Sequence, residues 1–255
     1  ETAGFLTTNL CVRGAGFVGS HTRIWLEGRQ FFVESNDLAV STAPLPPRDL
    51  AIPDLSTGFG PHPPSNAAPC SVLVVLDPGH GGDASGAVGP CGVPEKKVAL
   101  QQAFVAKQVL EQAGFRVLLT RNTDANPDLY ERVRLAYAQK ATAFIALHYN
   151  ATVPSANPQT ARHIATYYWN DIGENLARAI HPHIAKATSI PDGGIRQASF
   201  AVCRNPAVPS ILLEQDFITV PEGEEAIQTP ERQKLVARAI LAGLCDWLGI
   251  AEPQH

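Results

Sequence analysis

Three apolar runs in this sequence end in side chains able to hold a metal ion or move a proton. Val72-Leu73-Val74-Val75-Leu76 leads into Asp77-Pro78-Gly79-His80-Gly81-Gly82, and Ala143-Phe144-Ile145-Ala146-Leu147 leads into His148-Tyr149-Asn150. The third, Ser210-Ile211-Leu212-Leu213, leads into Glu214-Gln215-Asp216-Phe217, and Glu95 closes the Gly-rich loop after His80. Neutral imidazole and carboxylate suit zinc, and a catalytic zinc takes three protein ligands while keeping one position for water. Residue types alone leave open which glutamate would bind and which would act as a base. Each residue also has a plainer reading: His80 as a turn residue, Glu95 as an ordinary first-turn helix carboxylate.

The elements that must position these groups follow from pattern. A short β-branched run closed by Pro and Gly reads as a buried strand, and the apolar spacing after Glu95 is helical, so 72–113 is a β-loop-α unit. Glu95 then sits in the first helical turn, where the macrodipole favours negative charge. If the three strands lie parallel, His80, His148 and Glu214 emerge at one carboxyl edge, the edge where open α/β sheets bind ligands. The expected class is α/β: a mostly parallel twisted sheet flanked by helices, hydrolase-like, with a small N-terminal β unit.

Further elements complete the alternation. The helix from Glu95 turns Val98, Ala99, Val105, Val109, Leu110 and Ala113 inward and stops at Gly114. Phe115–Leu119 is a strand whose polar end, Thr120-Arg121, is given a structural role. Leu129–Gln139 is a helix, Ile164–Trp169 a strand, and Ile172–Thr188 a helix that Pro182 should kink or break. His181 and His183 flank that proline and point apart on a helix, a poor chelate. Asp192–Gln197 reads as a flexible turn; its Arg196 is a candidate clamp for a substrate carboxylate, with a surface ion pair as the alternative. Thr229 and Pro230 open a last helix through Leu248, with Leu235, Val236, Ile240, Leu244 and Trp247 on or near its buried face.

Near the start, Thr22–Leu26 and Gln30–Val33 alternate in polarity around Glu27-Gly28-Arg29 and predict a β-hairpin, with Leu10–Val12 and Leu38–Val40 as added short strands. Residues 43–70 turn to Pro, Ser, Asn and Gly, the composition of an extended linker or strap, and His62 within it is read as exposed and without a role.

With 255 residues, 45% of them hydrophobic and 17% charged, the chain can bury one good-sized core and a small appended unit. A net charge of -4 gives no sign of an electrostatic nucleic-acid binder, and no apolar stretch is long enough for a membrane-spanning helix. Starting at Glu1 without Met or a basic-apolar leader, the sequence reads as a processed or trimmed chain. Its five cysteines show no CxxC spacing, which argues against a cysteine zinc site. Cys91 lies between two proposed ligands, and a disulfide through Cys70 or Cys91 suits an oxidising compartment.

Taken together, Val75–Gly82, Glu95-Lys96, Ala146–Asn150 and Leu212–Phe217 resemble, in order, the motifs of the zinc-dependent N-acetylmuramoyl-L-alanine amidases of bacterial cell-wall metabolism. The resemblance covers roughly Ser71 to Ile250. It implies that His80, Glu95 and His148 hold one zinc ion and that Glu214 is the catalytic carboxylate. It also implies peptidoglycan as substrate, hydrolysis of the amide between N-acetylmuramic acid and L-alanine, and export to the periplasm or cell wall. The domain reading becomes a small β-hairpin unit over 1–42, a Pro-rich segment over 43–70 and a catalytic domain over 71–255.

Tyr149 and Gln215-Asp216 depart from the smaller residues usual in this family and are expected to border the pocket. Asn150 and Arg196 are the candidate substrate contacts, and Asp77 a candidate to orient a ligand imidazole from behind. The span from Asn150 to Ser210 is used up by ordinary elements, with Ala151–Thr160 as a rim, so an open groove with no obligatory activator is expected. A zinc exopeptidase acting on free peptides and a non-catalytic wall-binding module are the alternatives.

Overall fold

The computed structural model describes residues 14–18, 21–26, 29–34, 71–152 and 161–252. By its internal contacts the chain divides into two compact units, Glu1–Gly58 and Phe59–His255. In the first, β1 (Gly14–Val18), β2 (His21–Leu26) and β3 (Arg29–Glu34) form a three-stranded antiparallel sheet in that order. The β2–β3 pair is the hairpin expected from alternation about Gly28, with Leu26 opposite Arg29. The third strand falls at Gly14–Val18, while Leu10–Val12, Leu38–Val40, the segment 43–70 with His62, and most of the proposed rim at 153–160 lie outside the described residues.

The second unit is a six-stranded sheet built from β4 (Leu73–Pro78), β5 (Arg116–Leu119), β6 (Ala143–Asn150), β7 (Ile164–Tyr168), β8 (Asp192–Gln197) and β9 (Ser210–Phe217), in the order β5-β4-β6-β9-β7-β8. Every pairing is parallel except that of β7 with β9. β4, β6 and β9, the strands that carry the chemistry, are thus parallel neighbours at the centre.

Residues on a strand alternate between faces, and the two faces are covered differently. Val74, Leu76, Ile145, Leu147, Ile211 and Leu213 share one core with residues of α1 (Glu95–Gln112), α3 (Asp171–Thr188) and α5 (Pro230–Leu248). The other face carries Asp77, His148 and Glu214, and over it lie α2 (Leu129–Ala138) and a 3-10 turn, Ala201–Cys203. A seven-residue helix, α4 (Pro221–Ile227), follows β9. Caps agree with the sequence: Gly114 takes φ 90° after α1, and Thr229 Oγ1 accepts from Arg232 N–H at the start of α5.

Three expectations are corrected. α3 runs without a break through Pro182, which lies with Arg178, one turn earlier, on the solvent-exposed side of the helix. Asp192–Gln197 is a strand, not a turn; as the sheet's edge strand it tolerates the glycines that a central strand would not. Leu235 is exposed, while Val236, Ile240 and Leu244 carry the buried face of α5. Among the described residues no helix is long and apolar enough to cross a membrane.

Candidate metal centre and active site

The ends of β4 and β6 and the start of α1 converge. One donor atom from each of His80, Glu95 and His148 lies within 4.8 Å of the others. Glu95 is at the centre: His148 Nδ1 lies 2.9 Å from its Oε1 and His80 Nε2 lies 3.0 Å from its Oε2. Each carboxylate oxygen also accepts one backbone N–H, from Tyr149 at 3.1 Å and from Ala87 at 3.0 Å. Burial by itself pushes the Glu95 carboxyl up. The hydrogen bonds from His148 and His80 outweigh that and hold it well below the usual carboxylate range. Glu95 is therefore an anion, 3% exposed, facing two imidazoles whose rings meet edge-on at 4.9 Å. Two nitrogens and one anionic oxygen on a shared centre form a donor set that fits one divalent cation.

Backbone geometry makes this meeting fit. His80 takes φ 61°, a left-handed conformation that swings its imidazole back over the strand end. Two glycines clear the space. A Cβ on Gly79 would lie 2.3 Å from the His148 ring, and one on Gly86 would lie 2.5 Å from Glu95 Oε2 and 2.6 Å from His80 Cδ2. Neither glycine stood out in the sequence as part of the site, since the turn explains both and only the folded contacts show what they make room for.

Glu214 stands opposite His148 in the β6–β9 register, so both project from the same face. Burial, and after it the Glu95 charge, raises its carboxyl pKa. Its Oε2 is shielded from solvent and has no hydrogen-bond partner among the described residues. Glu214, the three clustered residues, Asn150 and Tyr149 all line one cavity of about 650 Å³, bordered opposite by Leu129 and Phe200.

The remaining sequence candidates separate. Asn150 is in the cavity wall, whereas Arg196 lies exposed on edge strand β8, donates to Gly193 O at 3.0 Å, and is not among the lining residues. Of the departures from the usual motifs, Tyr149 borders the cavity, while Asp216 turns away into an ion pair with Arg162 at 2.7 Å. Asp77 contacts Arg132 Nη1 at 2.8 Å and Thr120 Oγ1 at 2.5 Å instead of a ligand imidazole. His181 and His183 bond to Asp192 and Asp246 respectively, in keeping with their separate faces. Cys91 is an exposed free thiol outside the cluster, and Cys203 and Cys245 are buried free thiols; Cys11 and Cys70 lie outside the described residues.

Residues 74–246, from β4 to the end of α5, match the family described as N-acetylmuramoyl-L-alanine amidase. The chain belongs to that family. Among curated amidases, the probable cell wall amidase LytH of Staphylococcus epidermidis is 34% identical over 173 residues, which are 67% of this chain and 56% of its own length. The N-acetylmuramoyl-L-alanine amidase AmiC of Escherichia coli is 29% identical over 228 residues, covering 72% of this chain and 55% of its own. The chain thus spans about half the length of these curated relatives. Among solved amidases, the catalytic domain of CwlV from Bacillus (Paenibacillus) polymyxa var. colistinus superposes with TM-score 0.66 at 32% identity, covering 71% of this chain and 99% of that one. AmiC2 of Nostoc punctiforme gives TM-score 0.65 at 36% identity, covering 70% and 97%. The amidase match contains all four of His80, Glu95, His148 and Glu214 and leaves out β1 to β3.

Proposed function

We propose that this chain hydrolyses the amide between the lactyl group of N-acetylmuramic acid and the L-alanine of the peptidoglycan stem, with zinc held by His80, Glu95 and His148. The observation that carries this reading is the convergence of those three donors within 4.8 Å, with Glu214 next to His148 across the strand pair. The family and the relatives' wall amidase names supply the substrate. Two imidazoles and one carboxylate leave a fourth tetrahedral position open, the arrangement of a catalytic rather than a structural zinc.

A zinc ion bound there supplies Lewis acidity towards the amide carbonyl and acidifies an attacking water. Glu214 accepts the proton of that water as its oxygen attacks the carbonyl carbon. It then gives the proton to the departing L-alanine nitrogen as the C–N bond breaks, leaving a lactyl carboxylate and a free amine. The shielded Oε2, without a hydrogen-bond partner among the described residues, suits a group that must take up and release a proton in one cycle. Tyr149 N–H and Ala87 N–H fix the Glu95 carboxylate so that each oxygen faces one imidazole. Asn150, in the cavity wall, is positioned to contact substrate.

A wall substrate places the chain outside the cytoplasmic membrane, in the periplasm or the cell wall. Among the described residues of the span between β6 and β9, Ala151 and Phe200–Val202 line the cavity and no residue of α3 does, which favours an open groove and activity without an obligatory partner. The test is incubation of the purified chain with a muramyl tripeptide and, separately, with the unglycosylated tripeptide. The expected outcome is release of a peptide with a free L-alanine amine from the first only, abolished by a chelator and restored by zinc. Cleavage of the unglycosylated peptide would point to an exopeptidase, and binding without cleavage to a wall-binding module.

A further inference from the structure

The carbonyls leading into His80 are held by two buried guanidinium groups, Arg121 at 3% and Arg132 at 2% exposure. Arg121 Nε and Arg132 Nη1 both donate to Pro78 O, at 3.0 and 2.8 Å. Arg121 Nη2 donates to Gly79 O at 2.8 Å, and Arg132 Nη2 to His80 O at 2.8 Å. Three consecutive carbonyls are thus occupied by two cations. Arg121 Nη2 also donates to Lys96 O at 2.8 Å, the residue after Glu95. One nitrogen therefore joins the strand end that carries His80 to the helical turn that carries Glu95. Arg132 is itself fixed by Asp77 Oδ1 at 2.8 Å, Asn126 Oδ1 at 3.0 Å and Pro127 O at 3.0 Å.

This arrangement exceeds what a turn requires. Burying two guanidiniums against one carboxylate is costly unless nearly every donor is used, and here the donors converge on the chain at His80. A non-glycine residue at φ 61° is disfavoured and persists only where its surroundings hold it. A planar fork can take adjacent carbonyls in fixed directions, which a lysine ammonium cannot.

We propose that Arg121 and Arg132 are positioning residues for the metal centre. They hold the His80 backbone in its left-handed turn and tie it to the Glu95 turn, so that the imidazole and carboxylate are preset for one cation. The proposal rests on the metal reading of the cluster, and orientation of metal ligands by groups behind them is worth about 10- to 100-fold in metal affinity.

The test compares wild type with Arg121→Lys, Arg132→Lys and Arg132→Met. Each is stripped of metal and titrated with zinc in competition with a chromophoric chelator, with thermal midpoints of the metal-free forms and kcat and KM on a muramyl tripeptide. Both lysine variants, which keep the buried charge, are expected to lose about 10- to 100-fold in zinc affinity, to recover kcat at high zinc, and to keep KM. Zinc affinity equal to wild type in a folded variant overturns the proposal while leaving the amidase reading intact. A wild-type chain that binds no zinc removes both. Should the variants unfold, zinc titration of wild-type protein followed through the Nε–H resonances of Arg121 and Arg132 decides. Shifts complete at one equivalent are expected, and resonances that do not respond overturn the proposal.

Discussion

The two faces of the central sheet are written by alternate residues of the same three strands, yet they do opposite things. On the face covered by α1, α3 and α5, Leu76, Ile145, Leu147, Ile211 and Leu213 are essentially inaccessible and belong to one apolar core. On the other face the alternate positions are Asp77, His148 and Glu214, under the thinner cover of α2 and one 3-10 turn. The helix-covered face stores stability through apolar burial, at roughly 25 cal/mol per Å². The opposite face spends part of it on a half-buried acid whose Oε2 has no partner among the described residues and on two guanidiniums held by carbonyls. A one-residue step along β9, from Leu213 to Glu214, crosses from one regime to the other.

That contrast can be broken or sharpened at neighbouring positions. Glu214→Gln keeps size and removes only the proton acceptor, so turnover should fall about 10²- to 10⁴-fold. Its thermal midpoint should stay at or above the wild-type value, since Glu214 Oε2 has no described hydrogen bond to lose; a large drop in midpoint would make Glu214 structural. Leu213→Ala should do the reverse, destabilising by about 2–5 kcal/mol in urea denaturation with kcat unchanged. A Leu213 variant of normal stability and poor turnover would abolish the division between the faces.

The smallest effect is expected at the sheet edge, outside both faces. The hydrogen bond from His181 holds the Asp192 carboxyl below its usual pKa against a small opposing push from burial. An acid with a depressed folded-state pKa contributes stability above its unfolded value, and that contribution is lost as pH falls through the folded value. Asp192→Asn should therefore lower stability at neutral pH by about 0.2–1 kcal/mol, as for a pair whose carboxylate is exposed while its imidazole is buried. The gap to wild type should begin to narrow as pH falls below about 4, the unfolded-state value, and vanish once pH is below the depressed folded-state value. A gap that does not narrow at all across this acid range would show that the Asp192 charge is not its source. Turnover should not change.

Much of this was legible because it is local. Apolar runs closed by Pro-Gly, His-Tyr and Glu-Gln announce strand ends, and Pro94-Glu95 before an apolar helical period announces a helix start. β8 was not legible: Asp192-Gly193-Gly194 looks like a turn, and only its place as an edge strand beside β7 makes it extended. Nor was the reversed direction of β7, since a strand's own residues do not encode its neighbour's direction. Arg132 carried no signal either, because in sequence a buried arginine looks like any charge on an amphipathic helix.

By itself the sequence determined which residues could do chemistry and at which ends of which elements they stand, since side-chain period and capping act over a few residues. Only the tertiary structure decided that Glu95 sits between the two imidazoles, that Arg196 is excluded from the cavity, and that Gly79, Gly86 and two buried arginines shape the turn at His80. Those outcomes depend on contacts between segments tens of residues apart, where distance along the chain carries no information about distance in space.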